Sequence, residues 1–412
     1  MRTPASESTS WEGGRQPYII VGGTTEPGGL HIHTADLARA LDSAGHPVCI
    51  ISTCQDYFSQ LLADTRVKVV AISLPERGAG IRLFWRWWRA LRCYEGPVAI
   101  LCRGEGGTTP LPILAALRCC FRGLYTIEHG LPNPRNDALS LCMRIKDWLA
   151  CRMIRRSVAV SDAVRTSIIQ TFRFQPARIA TCHNWVDVDR FRPDQADREE
   201  MRIHHGIGPD CFLVGYVGRL APEKRVDLLL RAFAAFRTNS PRPTKLAIIG
   251  DGWKAAELCA LAESLGLKES VLFVGWVEDA LRWHRAFDLS VLPGLEGLPL
   301  TVLEAMACGT LCLAHSVGGS VECIEHGRNG FLAALDRPEW IANWISKAVH
   351  LSDADRRIMK AAARKTVVER FHVRDRLALL LEELGADMAA DELRQRGLPS
   401  PARSFAFVRE EL

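Results

Sequence analysis

Four charged side chains in the second half of the sequence have the types and spacing to hold a phosphorylated polyol. Arg219 and Lys224 lie in LVGYVGRLAPEK, five residues apart at the end of an apolar run. A guanidinium forks two oxygens and an ammonium adds a point charge, a pairing suited to a diphosphate. A solvated basic loop would use the same residues. Glu296 and Glu304 bracket the stretch EGLPLTVLE. Glu296-Gly297-Leu298-Pro299 reads as a turn after a strand, with Thr301 near the start of the next helix. Glu304 then falls in the first turn or so, and Gly309 is placed to end the helix. Free N–H groups at a helix start attract anions, so a carboxylate beside them would orient hydroxyls, one Glu on either side of a diphosphate. Taken singly, Glu304 is equally well a favourable charge near a helix N-terminus, worth about a few tenths of a kcal/mol.

In the first half, His129 follows the apolar strand LYTIE. A strand-end imidazole can hydrogen-bond a hydroxyl or assist a proton, and a core histidine with satisfied partners is the bland counterpart. His31 reads as a cleft residue, His33 and His46 as structural.

These residues need elements to position them. Short Val/Ile-rich runs alternate with helical patterns: YIIV, PVCIIST, VKVVAIS, VAILCR, LYTIEHG, SVAVSD and IATCHNWV, then FLVGYVGRL, KLAIIGDG, SVLFVGWV, DLSVLPG and TLCLAHS. Apolar runs without alternation imply strands covered on both faces, hence parallel sheets flanked by helices. A chain of 412 residues exceeds one ordinary core. The expectation is α/β, with two Rossmann-like doubly wound domains facing across a cleft. Residues 1–190 form the first, 191–210 a polar linker, 211–384 the second and 385–412 a weakly patterned tail. Ligands of such sheets bind beyond the carboxyl ends of the strands, which is where Arg219, Lys224, Glu296 and His129 fall.

Composition narrows the class. The 14 cysteines are scattered, without CxxC or zinc spacing, and the polar start MRTPASESTSWEGG lacks the apolar core of a signal peptide. They read as reduced and mostly buried in a cytosolic protein, with no metal. No apolar run is long enough to span a membrane. The net charge is +5, yet residues 82–156 carry 13 Lys or Arg against 5 Asp or Glu. Within that basic region RLFWRWWRALRCY puts Leu83, Phe84, Trp87, Trp88, Leu91 and Tyr94 on one helical face and Arg82, Arg86, Arg89 and Arg92 on the other. A helix packing its aromatics on a sheet has that pattern, and so does a helix lying on an anionic membrane. The basic stretch MRIKDWLACRMIRRS adds to the second reading. No recognisable nucleic-acid-binding module accompanies the charge.

Taken in order, GGLHIHTADLARALDSAGH, YTIEHG, AVSDAV, HNWVDVDRF, GRLAPEK, IIGDG, the Glu-(seven residues)-Glu segment and VGGSVECIEHGRNGFL resemble the family-4 glycosyltransferases of the GT-B fold over most of the chain. The resemblance implies that Arg219 and Lys224, beside Gly218, bind the pyrophosphate of a nucleotide-sugar donor. It places Glu304 on the ribose and Glu296 on the donor sugar, with the backbone of Gly297, Leu298, Pro299 and Leu300 around it. Gly28 and Gly29 match the N-terminal glycine loop, and His129 the cleft histidine. Base contacts are expected near Gly275, Trp276 and Val277, mainly through backbone. Where the family often has Asn-Gly-Val-Asp, this chain reads Asn184-Trp185-Val186-Asp187, so that turn differs.

The implied reaction is transfer of a hexose-type sugar, with retention, to a glycan or lipid-linked acceptor in cell-surface polysaccharide or lipopolysaccharide synthesis. Fixed cations and a helix start would stabilise the departing diphosphate without a metal or other cofactor. Two Asp-x-Asp strings exist, Asp187-Val188-Asp189 and Asp353-Ala354-Asp355. The first leads into the linker and the second sits at a helix start, so neither suits a donor-site metal. The expected location is cytoplasmic, with membrane contact through 82–94. A nucleotide-sugar epimerase and a non-catalytic nucleotide-sugar binder share the same shape. An NAD-dependent oxidoreductase fits poorly: GGTTEPGG departs from G-x-G-x-x-G, and no acidic residue ends the strand IIST.

Overall fold

A computed structural model of the chain describes residues 15–22, 28–72, 81–92, 98–104, 111–132 and 148–397. Gly23, Tyr94, residues 143–147 of the basic stretch and the end of the tail lie outside them. The described strands form two parallel sheets. The first holds β1 (Tyr18–Val21), β2 (Val48–Ser52), β3 (Lys68–Ala71), β4 (Val98–Arg103), β5 (Gly123–Glu128), β6 (Arg156–Ala159) and β7 (Ile179–Thr181), in the order β3-β2-β1-β4-β5-β6-β7. The second holds β8 (Phe212–Val217), β9 (Thr244–Ile249), β10 (Val271–Gly275), β11 (Leu289–Leu292), β12 (Leu311–His315) and β13 (Phe331–Ala333), in the order β10-β9-β8-β11-β12-β13. β13 is three residues long and hidden in a glycine-rich segment, too short for a periodicity to betray it.

Burial explains the parallel arrangement. Every residue of β1, β2, β5, β11 and β12 is buried, whereas the edge strands β3 and β10 are only partly covered. Helices on both faces exclude water from central strands, and the uninterrupted Val/Ile/Leu runs are the sequence trace of that. In each sheet the strand order reverses once, between β1 and β4 and between β8 and β11. Loops leaving those neighbours diverge, opening a crevice at their carboxyl ends.

The chain divides into two compact units, one running to Asn184 and resuming at Arg374, the other spanning Trp185–Val373. This differs from the expected boundaries at two points. The stretch 191–210 is no spacer: it contains the helix Gln195–His204, which packs on the helix Leu281–Ala286 of the second unit. Its polar character comes from arginines that serve carbonyl groups. Arg198 donates to the carbonyls of Arg285 (3.0 Å), Ala286 (2.8 Å) and Phe287 (2.8 Å), orphaned at the end of that helix, and to Asp288 at 2.6 Å. The described residues from Arg374 on belong to the first unit. Glu383, in the helix Val373–Glu383, pairs with Arg156 at 2.5 Å. After Gly385, at φ 75°, the helix Asp387–Arg396 buries Ala389, Ala390 and Leu393 beside the helix Gly29–Ser43. Three small apolar residues make too thin a stripe to stand out in sequence.

Candidate active site

In the second unit Arg219, Lys224 and Glu296 lie in the loops that follow β8 and β11, where the strand order reverses. Gly218 and Arg219 directly follow β8, and Lys224 closes the short 3-10 turn Pro222–Lys224. Glu296 lies in the loop after β11. The two loops meet: Lys224 Nζ donates to Glu296 Oε1 at 2.6 Å, with the lysine buried and the carboxylate one-fifth exposed. An ammonium taken out of water needs such a counter-charge. Arg219 is more open and pairs with Glu223 at 3.1 Å, while Tyr216 Oη donates to the Arg219 carbonyl at 3.0 Å.

Glycines let these loops approach. A Cβ on Gly294 would stand 2.8 Å from the Glu223 carbonyl oxygen, and one on Gly319 would stand 1.9 Å from that of Gly297. The Gly319 amide donates to the Glu296 carbonyl at 3.0 Å, so the loop after β12 clamps the Glu296 turn from behind. Gly297, Leu298 and Pro299 are buried, and Pro299 is the N-cap of the helix Leu300–Ala307. No side chain caps that helix, which leaves its first N–H groups available to a ligand. Glu304 is its fifth residue, just past the first turn and in line with its expected place in the first turn or so. Gly309 (φ 71°) ends the helix as anticipated, with Gly309 N–H to Met306 and Thr310 N–H to Ala305 closing a Schellman motif. Gly275 (φ 81°) ends β10, Trp276 is exposed and Val277 packs partly on the core around Trp283 and Phe287.

In the first unit, His129 follows β5 and its N–H donates to the Arg103 carbonyl at the end of β4 (2.8 Å). The preceding Glu128 is buried and held by Arg103 Nε at 2.8 Å. Burial pushes the His129 pKa down to about 4, and the neighbouring His31 adds to the effect. The ring beside His129 is His33, at 5.9 Å between centroids. His31, expected as the cleft residue, is buried against Tyr57 and Phe58. One helical residue separates the two histidines, and sequence alone does not say which turns toward the strand end. Gly28 caps the helix Gly29–Ser43 without a side-chain bond, and a Cβ there would meet nothing within 4 Å. Gly29 is the first residue of that helix.

The Asp-x-Asp strings have other work. Asp187 Oδ1 accepts from the amides of Asp189 and Arg190, both at 3.0 Å. Asp353 is the first residue of the helix Asp353–Arg370, but the cap is Ser352, which accepts from Asp355 N–H and donates to its carboxylate. Among the described cysteines none is in a disulfide. Burial drives the thiols of Cys102, Cys182, Cys308 and Cys323 up to about 12, so they stay protonated and inert.

Sequence reasoning missed His284. It is fully buried on the helix Leu281–Ala286 and places Nε2 3.2 Å from Glu304 Oε2. Nothing in its neighbourhood, RWHRAF, signals a partner 20 residues on. Gly318-Gly319 carried a signal, as part of a motif already matched.

Comparison with known proteins agrees with this fold. Residues 27–190 match the model of Glycosyltransferase Family 4, and residues 197–366 that of Glycosyl transferases group 1. A D-inositol 3-phosphate glycosyltransferase of Catenulispora acidiphila is 35% identical over 214 residues, 49% of either chain, so the match spans about half the length of that relative. The UDP-Gal:alpha-D-GlcNAc-diphosphoundecaprenol alpha-1,3-galactosyltransferase of Escherichia coli is 28% identical over 292 residues, 68% of this chain and 74% of that one. Among solved structures, Anabaena Alr3699/HepE in complex with UDP and glucose superposes with a TM-score of 0.77 at 22% identity, covering 90% of this chain and 100% of that one. With two parallel sheets of GT-B type and a glycosyltransferase model matched in each half, the chain belongs to the family-4, group 1 glycosyltransferases.

Proposed function

We propose that this protein is a glycosyltransferase that moves a hexose-type sugar, with retention, from a nucleotide sugar to a glycan or lipid-linked acceptor. The observation that carries the reading is the Lys224–Glu296 pair at the point where the strand order of the second sheet reverses. One crevice there holds a cation for phosphate, a carboxylate for hydroxyls and an uncapped helix start. Arg219 and Lys224 neutralise the leaving diphosphate, with Gly218 letting the strand end come close. Glu296 and the amides of Gly297, Leu298 and Leu300 hold the sugar. Glu304 holds the ribose, and Gly275, Trp276 and Val277 border the base. On arrival the diphosphate takes over Lys224, which frees Glu296 to accept from sugar hydroxyls. In the first unit, the same reading gives substrate-binding roles to Gly29 and His129.

The relatives named for D-inositol 3-phosphate and for a diphosphoundecaprenol-linked sugar support a phosphorylated or lipid-linked acceptor. The exposed Arg82, Arg86 and Arg89 on the helix Ile81–Leu91, with Arg92 just after it, favour an anionic membrane surface as the place where it is met, at the cytoplasmic face in cell-surface glycan synthesis. Neither Asp-x-Asp string is offered to a donor, so the leaving group is stabilised by the fixed cations alone.

The test is a thermal-shift screen with UDP, GDP and ADP, followed by sugar transfer with the donor of whichever base raises the melting temperature. Arg219→Ala and Glu296→Ala should each lower turnover by about a hundredfold or more while the fold survives. EDTA should leave the wild-type rate unchanged. Near-normal turnover in both variants would remove the assignment, and donor interconversion without acceptor would make the protein an epimerase.

A further inference from the structure

Glu304 is asked to hold two adjacent hydroxyls, yet a glutamate on a helix has three rotatable bonds and little reason to point one way. Fixing such a side chain costs conformational entropy at the moment of binding unless the protein has already paid it. His284 is placed to do so. Its Nε2 stands 3.2 Å from Glu304 Oε2. An ionised carboxylate only accepts, so Nε2 must carry the hydrogen. The other ring nitrogen, Nδ1, is buried and has no partner among the described residues, so a bond to Glu304 is the one polar contact the side chain makes there.

The ring itself is held. It is fully buried and meets Phe191 and Phe287 edge-on, at 6.3 and 6.2 Å between centroids. The His284 carbonyl accepts from Thr310 Oγ1 at 2.6 Å, and the Thr310 amide donates to Ala305, next to Glu304 on its helix. One residue therefore ties the backbone of the histidine to the end of the helix that carries the glutamate. With Oε2 taken by the ring, Oε1 and the remaining lone pair of Oε2 are left at a fixed angle, which is what a cis-diol can match.

Resting on the reading that Glu304 takes the ribose, we propose that His284 is the positioning residue for that carboxylate. By fixing it, His284 makes the site prefer a ribonucleotide over a nucleotide without the 2′ and 3′ hydroxyls. Whichever of UDP, GDP or ADP stabilises the full-length protein is titrated calorimetrically alongside its 2′,3′-dideoxy counterpart. The wild type should favour the ribo form by about tenfold, the size of one charge-assisted hydrogen bond. In His284→Asn the amide is too short to reach Glu304, and the preference should vanish with affinity for the dideoxy form unchanged. His284→Gln puts an N–H near the original Nε2 and should keep the preference to within about threefold. The role is overturned if His284→Asn retains the preference, or if both forms weaken alike in both variants, as a purely structural histidine would have it. Glu304→Ala separates the two layers. If it leaves the preference intact, the ribose assignment itself fails, whatever His284 does.

Discussion

Lys224 and Glu296 are each other's counter-charge at 2.6 Å, and in the site proposed above an arriving diphosphate would have to compete with Glu296 for the ammonium. This is why a buried lysine is tolerated beside a partly exposed carboxylate: removing Glu296 would strand the ammonium where water barely reaches. His129 is a different kind of residue. With its pKa near 4 it carries no proton at neutral pH, so it serves as a hydrogen-bonding group and not as a standing cation. A partly buried base held below its unfolded value of 6.5 favours the unfolded state as pH falls, because the unfolded chain takes the proton first. The contribution is fully present above pH 6.5 and is lost progressively down to about pH 4. Urea melts across that window should show wild type losing more stability than His129→Phe. Parallel pH curves for the two proteins would contradict the depressed pKa.

At the level of elements, the helix Ile81–Leu91 separates two demands that its sequence mixes. Leu83, Trp87 and Leu91 are buried, Phe84 and Trp88 half-buried, and the arginines exposed, so the aromatic face packs inside the first unit as an ordinary domain helix would. Left outward are Ile81 and Trp85, 67% and 46% exposed, among the arginines. That is a small apolar tip on a basic face, enough for interfacial contact and far from a spanning segment; no described helix is long and apolar enough to cross a membrane. Flotation with vesicles containing phosphatidylglycerol should carry the protein upward at low salt. Trp85→Ser with Arg86→Glu should abolish this without lowering the melting temperature. Failure of the wild type to float would leave the helix a packing element alone.

At the scale of the molecule, each unit is closed by a segment that reads as polar or unpatterned. In the second, Arg198 and Arg202 reach Asp288 at 2.6 and 3.3 Å, and Asp288 accepts from the Leu213 amide at 2.8 Å, tying the helix Gln195–His204 to the start of the sheet. Burial alone would raise the Asp288 pKa; Arg198, that amide and Arg202 outweigh it and hold it below the usual carboxylate range. Asp288→Ala leaves two guanidinium groups without their anion, and the second unit should lose about 3 kcal/mol or more in denaturant melts. A change under about 1 kcal/mol would show that the carbonyl contacts suffice.

The local elements and the order of the motifs were legible in the sequence. Twelve of the thirteen strands of the two sheets stand out as apolar runs, because a strand covered on both faces tolerates little else. Arg219, Lys224, Glu296 and Glu304 stand out because strand ends and helix starts are where backbone groups are free and charges are worth placing. Tertiary structure decided who meets whom. Lys224 and Glu296 are 72 residues apart, and His284 and Glu304 join different helices. It also decided that the His33 ring packs against His129 while the His31 ring packs on Tyr57 and Phe58, and that the last described helices belong with the first unit. Composition and periodicity describe what one segment needs from its surroundings. They do not say which distant segment meets that need, since many pairings satisfy the same demand for burial and only the packed chain selects one.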